Sequence, residues 1–299
     1  MSWLTLPWRL GRRGVLGMNA RNAGVILGHN PRALFPLVDD KLTFLELCRR
    51  VGVPTPALLA VFERPGDLRH LGETLGASPD CVIKPARGSS GRGVVLLTGP
   101  AEGGWRRHNG SVATPDELRR HVADVLSGLY SLGGRPDRAI VQQRLRTHPA
   151  LERISYRGTP DVRVLVYRGE IALGMLRLAT LESGGRANLH QGGVGVGVDV
   201  GSGKTTRAVW RGRFVDRHPD TGEALSGRDV PEWTAVLALA RTVARATGLG
   251  YVGVDVVPDV RGPVVLEANA RPGLAIQTAT GIGLGGVLAE IDRRMTKSQ

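Results

Sequence analysis

Lysine is nearly missing from this chain. Of 40 basic residues among 299, only Lys41, Lys84, Lys204 and Lys297 are lysines, and the other 36 are arginines. Such a bias points to genome composition rather than to a nucleic-acid footprint, because the basic residues are spread without a concentrated run. Aromatic residues are scarce at 4%, so cations and rings do not interleave as a nucleic-acid surface requires. Cys48 and Cys81, the two cysteines, have neither metal-site nor disulfide-framework spacing, which suits a reducing cytoplasm. No apolar run is long enough to span a bilayer. The opening "MSWLTLPWRLGRRG" is too interrupted for a signal peptide, and Asn19, Arg21 and Asn22 break any stretch behind Arg12-Arg13. Its tryptophans and arginines could touch a membrane surface, but packing against the protein's own body is expected. The formal charge of +13 favours acidic partners: phosphates, carboxylate-rich peptides or anionic lipid.

A phosphate-binding P-loop is also absent, although "VDVGSGKTTRA" (198–208) imitates one. The P-loop needs a glycine five residues before the Gly of Gly-Lys-Ser/Thr, and that position is Val198. The residues after Lys204 are β-branched and open no helical pattern, so the segment reads as a turn between two strands with Lys204 exposed.

Glycine, by contrast, is abundant at 42 residues, and 41% of the chain is apolar. Together they favour an α/β fold with many tight turns, built as one large domain or two lobes. Residues 1–38 read as a Gly/Asn-rich arm of weak periodicity. Asp39-Asp40 precede a helix "KLTFLELCRRVG" with Leu42, Leu45 and Cys48 on one face. The prolines of "VPTP" force an extended segment. Strands follow at 81–85, 94–98 and 139–145, separated by a helix from Thr114 with a capping box and Leu118, Val122, Val125 and Leu129 on its buried face. "DVRVLVYRGEIALGMLRL" (161–178) reads as a hairpin turning at Arg168-Gly169-Glu170. Pro231 to Gly248 is a helix, residues 251–257 and 264–270 form a second hairpin, and a last helix closes the chain.

Three constellations carry chemistry. A turn near Arg261 sets Asp255 opposite Glu267, with Asn269 on the same face. Facing carboxylates destabilise a ladder unless something positive lies between them. Two carboxylates and an amide oxygen suit Mg²⁺, and pairing with arginines is the equally open alternative. In "VIKPARGSSGRG", a lysine ends an apolar strand, costly unless it meets an anion. The glycine loop behind it can bring backbone N–H groups to a phosphate, or can be a plain hairpin turn. Lys41 opens a helix where a cation opposes the dipole, so either it is a surface lysine or the helix start faces an anion.

In this order, "DDK", "VIKP" with its loop, "IVQQRL", "DVRV", "GGRANLHQGG", "GVDV" and "LEANARPG" resemble the ATP-grasp superfamily, over most of the chain from Val38 to Gly285. Within it the chain is most similar to RimK-type α-L-glutamate ligases and the proteins described as alpha-L-glutamate ligase-like. The resemblance implies an α/β (α+β) fold of two lobes, each an antiparallel sheet with helices, holding nucleotide between them. It implies lobes at 39–146 and 147–299 after an arm at 1–38. Lys41 and Lys84 would contact phosphates, and Ser89, Ser90, Gly91 and Gly93 would fold over them. Gln143 to Leu145 would be a hinge for adenine, and Asp161 would hold the ribose. Asp255, Glu267 and Asn269 would bind two Mg²⁺ ions, with Mn²⁺ able to replace them. Arg163, Arg186 and Asn188 would lie near the γ-phosphate and the acyl substrate, with Arg271 joining them. An ordinary ion pair is the alternative for each arginine and the stronger one for Arg177 and Arg271, and His190 reads as a loop hydrogen-bonder.

The expected activity is ATP-dependent amide formation between an amino acid and a carboxylate-bearing peptide or small molecule, through an acylphosphate. No specific nucleic acid is expected as a partner. A phosphotransferase of the same fold and a basic binding module for acidic partners are the alternatives. Two departures stand out. Only 40 residues precede Lys41, so the N-terminal domain of the glutamate ligases is expected to be shortened, with the arm or a protein partner met through it in its place. Gln142-Gln143 also stand where a hinge acid is common.

Overall fold

The computed structural model of the chain describes residues 11–88 and 91–297. Trp3, Trp8, Ser89 and Ser90 lie outside the described residues. In the first half, α1 (Lys41–Arg50) leads to β1 (Leu58–Phe62), α2 (Leu71–Ala77), β2 (Asp80–Pro85), β3 (Val95–Ala101), β4 (Gly104–Arg107), β5 (Val112–Ala113), α3 (Pro115–Leu126) and β6 (Ala139–Gln143). The strands form an antiparallel sheet in the order β1-β6-β2-β3-β4-β5. Strand β2 shows why it has two different faces. Cys81 and Ile83 are fully buried with Leu71, Leu75, Leu118, Val122 and Val125 of α2 and α3. Val82 and Lys84, one residue out of phase, turn to the other side. Each such Leu, Ile or Val contributes about 1.5–3 kcal/mol by leaving water.

The second half holds β7 (Asp161–Tyr167), β8 (Glu170–Leu178), β9 (Val194–Val198), β10 (Thr205–Trp210), β11 (Arg213–Val215), α4 (Trp233–Thr247), β12 (Tyr251–Asp259), β13 (Gly262–Asn269), α5 (Ala275–Thr280) and α6 (Leu284–Lys297). Its antiparallel sheet runs β11-β10-β9-β8-β7-β12-β13. Val162, Val164, Val166, Val252, Val254 and Val256 face one side and pack with Val236, Ala240 and Val243 of α4. The alternate residues Leu165, Tyr167, Leu173, Met175 and Tyr251 face the other and are covered by α5 and α6. That second face is apolar only beneath the helices. At its far end it carries Asp161, Arg163, Arg177, Asp255 and Glu267.

Four sequence readings need correction or completion. The region 11–38 is not an irregular arm. Met18–Ala20, Arg21–Ile26 and Leu27–His29 form one helical run whose middle has π-type bonding, and that geometry erases the 3.6-residue pattern. It is built into the body: Ile26 joins the core, and Asn30 donates to the carbonyls of Tyr251 and Ala270 while accepting from Tyr251 N–H. Leu129 is exposed rather than buried, because α3 ends at Leu126. Strand β1 and helix α2 were not expected. β1 is an edge strand with Leu58 and Leu59 exposed, so it shows no alternation. "GSGKTT" does join β9 to β10, held by Asp199 accepting from Ser202, and exposed Lys204 pairs with Asp229 at 2.8 Å. No helix among the described residues is long and apolar enough to cross a membrane.

Candidate active site

A cavity of about 1180 Å³ opens between the Lys84 face of the small sheet and the charged end of the large one. Its floor follows from strand register. Glu267, Asp255 and Arg163 stand side by side on β13, β12 and β7, and Arg177 of β8 stands opposite Asp161 in the neighbouring row. Facing carboxylates therefore do occur, and the charge between and beside them is guanidinium. Arg163 grips Asp255 with Nε at 2.7 Å and Nη2 at 2.6 Å. Arg177 donates to Asp161 at 2.5 Å and to Asp255 at 2.7 Å. Asp255 is fully buried, and Asp161 and Arg177 nearly so. Burial pushes Asp161 above the usual carboxylate range despite Arg177. Burial acts the same way on Asp255, but its two arginines outweigh it and hold it low.

Glu267 differs from its neighbour. Among the described residues it makes no hydrogen bond or ion pair, so its oxygens are available. Asn269 lies beside it, its amide 3.4 Å from Asp255. Among the described residues no group of three or more His, Cys, Asp or Glu is arranged to hold a metal. Glu267 and the Asn269 amide oxygen still fit Mg²⁺, which keeps waters and substrate oxygens in its shell and needs few protein ligands, whereas both oxygens of buried Asp255 are engaged by Arg163 and Arg177. The unpaired Glu267 is the observation that makes the fit.

Two ammonium groups enter the cavity, Lys84 from the small sheet and Lys41 from α1, whose Phe44 and Cys48 pack in the core of the large sheet. Lys84 belongs to β2 and lines the cavity, and burial, together with the like charge of Lys41, lowers it to about 8. Lys41 donates from Nζ to the Gly88 carbonyl at 3.0 Å. The anion at the start of α1 is Asp40, which caps Leu42 and Thr43 and pairs with Arg87 and Arg138. Lys41 can thus project into the cavity while Asp40 satisfies the helix end. Gly91 lines the cavity with φ +70°, 3.4 Å from Arg186 Cδ across the cleft when a Cβ is built on it. Gly93, at φ +71°, is outside the lining. It packs under the Tyr130 ring, where any Cβ would collide, and its carbonyl meets His121 Nε2 at 3.0 Å.

Of the remaining expected residues, Gln143, Leu145, Asn188 and Arg271 also line the cavity. Gln143 N–H is engaged by the Ala57 carbonyl at 2.9 Å. Asn188 accepts from His190 N–H at 3.0 Å and so shapes its own loop. Arg271 pairs with Asp39. Sequence reasoning underrated Arg177, whose place opposite Asp161 depends on a bulge in the β7–β8 hairpin. It also missed Arg107, His108 and His121 on the cavity wall, which sit in β4, its loop and α3 with no motif to mark them.

The chain is similar to several known proteins. A probable alpha-L-glutamate ligase of Halorhodospira halophila is 30% identical over 259 residues, 86% of this chain and 64% of that protein. One from Trichodesmium erythraeum is 29% identical over 263 residues, 87% and 66% respectively. The chain thus spans just under two thirds of the length of these relatives. Among solved structures, the biotin carboxylase domain of the Hydrogenobacter thermophilus 2-oxoglutarate carboxylase, in complex with MgADP, ADP and bicarbonate, superposes with a TM-score of 0.51. The match has 14% identity and covers 86% of this chain and 46% of that one. The family described as sugar-transfer associated ATP-grasp matches residues 20–293. With nearly its whole length matched, two antiparallel sheets and the cavity between them, the chain belongs to that ATP-grasp family.

Proposed function

We propose that this protein is an ATP- and Mg²⁺-dependent carboxylate–amine ligase, joining an amino acid to a peptide or small carboxylate. The observation that carries this reading is the meeting of Lys41 and Lys84 with the unpaired Glu267 across one cavity. Ammonium groups suit a polyphosphate, and Glu267 with the Asn269 amide oxygen would hold the Mg²⁺ that accompanies it, beside an Asp255 kept in place by Arg163 and Arg177. Bound Mg²⁺ would supply charge neutralisation on the transferring phosphoryl group. The sheets would act as two lobes meeting near residue 146, with Gln143 to Leu145 beside adenine and Asp161 toward the ribose.

In the reaction, a substrate carboxylate oxygen attacks the γ-phosphorus and the bond to ADP breaks. An amine then attacks the acyl carbon, phosphate leaves, and a proton is released as the amide forms. Lys41 and Lys84 hold the phosphates, while Arg163 and Arg186 face the acyl side and Asn188 keeps that loop in shape. No protein nucleophile is required, and the described cavity lining contains neither Ser nor Cys. Support for an amino acid as one substrate comes from the relatives' names, since a shared fold leaves substrates open.

Product analysis tests the reading. With ATP, Mg²⁺, mixed amino acids and acidic peptides, ADP and free phosphate should appear together with an amide, found by mass spectrometry. A phosphorylated product without free phosphate would instead make the protein a kinase. Binding of acidic partners indifferent to ATP, with no turnover, would make it a binding module.

A pH effect follows from Lys84. Because its ammonium is lowered to about 8 in the free protein, anion binding above that pH requires proton uptake. Affinity for MgAMP-PNP should be flat below pH 8 and fall by up to about tenfold per pH unit above it. Lys84→Met should bind more weakly and lose this dependence, measurable by titration from pH 6.5 to 9.5. A profile identical in the two proteins would remove Lys84 from the phosphate site.

A further inference from the structure

The cavity is larger than one small ligand needs, since pockets for drug-sized molecules run to about 300–1,000 Å³ and this one measures about 1180 Å³. Its wall carries an ion pair that the fold does little to require. Arg271 Nη2 donates to both carboxylate oxygens of Asp39, at 3.1 and 2.9 Å, with the two side chains 49% and 37% exposed. Pairs so open to water contribute little to stability. Arg271 does not depend on Asp39 for its orientation, because its guanidinium lies over the Phe35 ring, 5.0 Å from the centroid. Only Nη2 is used. Among the described residues Nε and Nη1 have no hydrogen-bond partner, so each edge of the guanidinium keeps a free donor beside Nη2 for an incoming carboxylate. Asp39 is likewise spared other duties, since its neighbour Asp40 performs the helix capping and pairs with Arg87 and Arg138.

We propose that Arg271 and Asp39 form the recognition point for a free α-amino acid, the guanidinium taking the α-carboxylate and Asp39 the α-ammonium. Two groups of opposite charge, already in contact, match a ligand whose own opposite charges are separated by one carbon atom. An acyl substrate alone would need only the arginine. The α-carboxylate held by Arg271 is thereby kept from activation, and the amino acid enters as the amine partner. Arg271 comes two residues after Asn269, so the amine is delivered to the edge of the proposed phosphate site. This inference rests on the ligase reading for the use of the amino acid, but not for its binding.

The test is a comparison of free amino acids with their blocked derivatives. The twenty proteinogenic amino acids are screened by saturation-transfer NMR and titration, with and without MgAMP-PNP, against their N-acetyl and α-amide forms. At least one free amino acid should bind, and blocking either end should weaken it at least about tenfold. Arg271→Leu should abolish the preference for acid over amide and keep that for free amine. Asp39→Asn should do the reverse, and Arg271→Lys, which keeps the charge and loses the fork, should fall between. A merely structural clasp would lower both preferences equally or neither. No binding of any free amino acid, or equal binding of the blocked forms, overturns the inference. Absence of MgAMP-PNP binding would count against the ligase reading alone, because the arm without nucleotide still decides this one.

Discussion

Replacing Arg177 with methionine is expected to destabilise the protein by about 3–5 kcal/mol, the usual result of removing one member of a buried ion network. The melting temperature should fall by about 6–10 °C, on the scale of 2 °C or slightly more per kcal/mol for a chain of this size. The reason is local. Arg177 is the guanidinium shared by Asp161 and Asp255, and Asp161 forms its ion pair with Arg177. Without it, Asp161 must take up a proton or remain charged in a buried place. The pH dependence has a definite sign. In the wild type the folded-state pKa of Asp161 is already raised by burial, and in the variant it rises further. The native state then binds more protons than the unfolded chain, so stability declines as pH rises above the ordinary Asp value. The loss should therefore be small near pH 4 and largest near neutrality. Adding Asp161→Asn should recover part of it, as expected for residues that share one interaction. Denaturant melts of the single and double variants at both pH values measure this directly. A cost below about 1 kcal/mol at pH 7.5 would mean that Arg177 is replaceable and the floor less tightly coupled than its hydrogen bonds imply.

Glu267→Gln should have the opposite profile, with little effect on folding and a large one on turnover. Glu267 makes no hydrogen bond or ion pair among the described residues, but its charge favours the Lys84 ammonium and the Arg177 guanidinium, so its removal should cost no more than about 1 kcal/mol. If Glu267 holds Mg²⁺ against the phosphates, ATP turnover should drop at least about 10²-fold, comparable with losing one preorganised charge contact in other sites. The pairing of these results is informative, because Asp255→Asn confounds them. It would strip charge from the floor of the proposed metal site and also leave Arg163 and Arg177 uncompensated. Steady-state assays beside thermal melts separate the two. Retained activity in a folded Glu267→Gln protein would take the carboxylate out of the metal site.

The parts of this architecture that were legible in the sequence are those governed by strand periodicity and turns. Asp255 does face Glu267, as a turn near Arg261 predicts, but the turn closes between Asp259 and Gly262 and a bulge between Asp255 and Val256 supplies the extra residue. The Asp161–Leu178 hairpin turns at Arg168-Gly169 as read. The lysine ending "CVIKP" was readable as out of phase with Cys81 and Ile83, hence on the face that proved to line the cavity. Helix α3 announced itself through the Thr114–Glu117 capping box.

What escaped had no local signal. The π-type bonding of Arg21–Ile26 hides an apolar face from a 3.6-residue search, so a segment packed against β12 reads as a loose arm. Strand β1, at a sheet edge, has no alternation to detect. In the site, Asp255 had two readings with the same pattern, and only the approach of Arg163 and Arg177 in three dimensions shows the ion network. The pairing of Arg271 with Asp39 spans 232 positions and could not be inferred from either neighbourhood.

The most direct test of a nucleotide held between the two sheets is isothermal titration of AMP-PNP, with and without Mg²⁺, into wild type and Glu267→Gln. Binding to the wild type that requires Mg²⁺, and is lost or much weakened in a variant with an unchanged melt, is the expected result. No binding to the folded wild type, or equal binding by both proteins without regard to Mg²⁺, would contradict it.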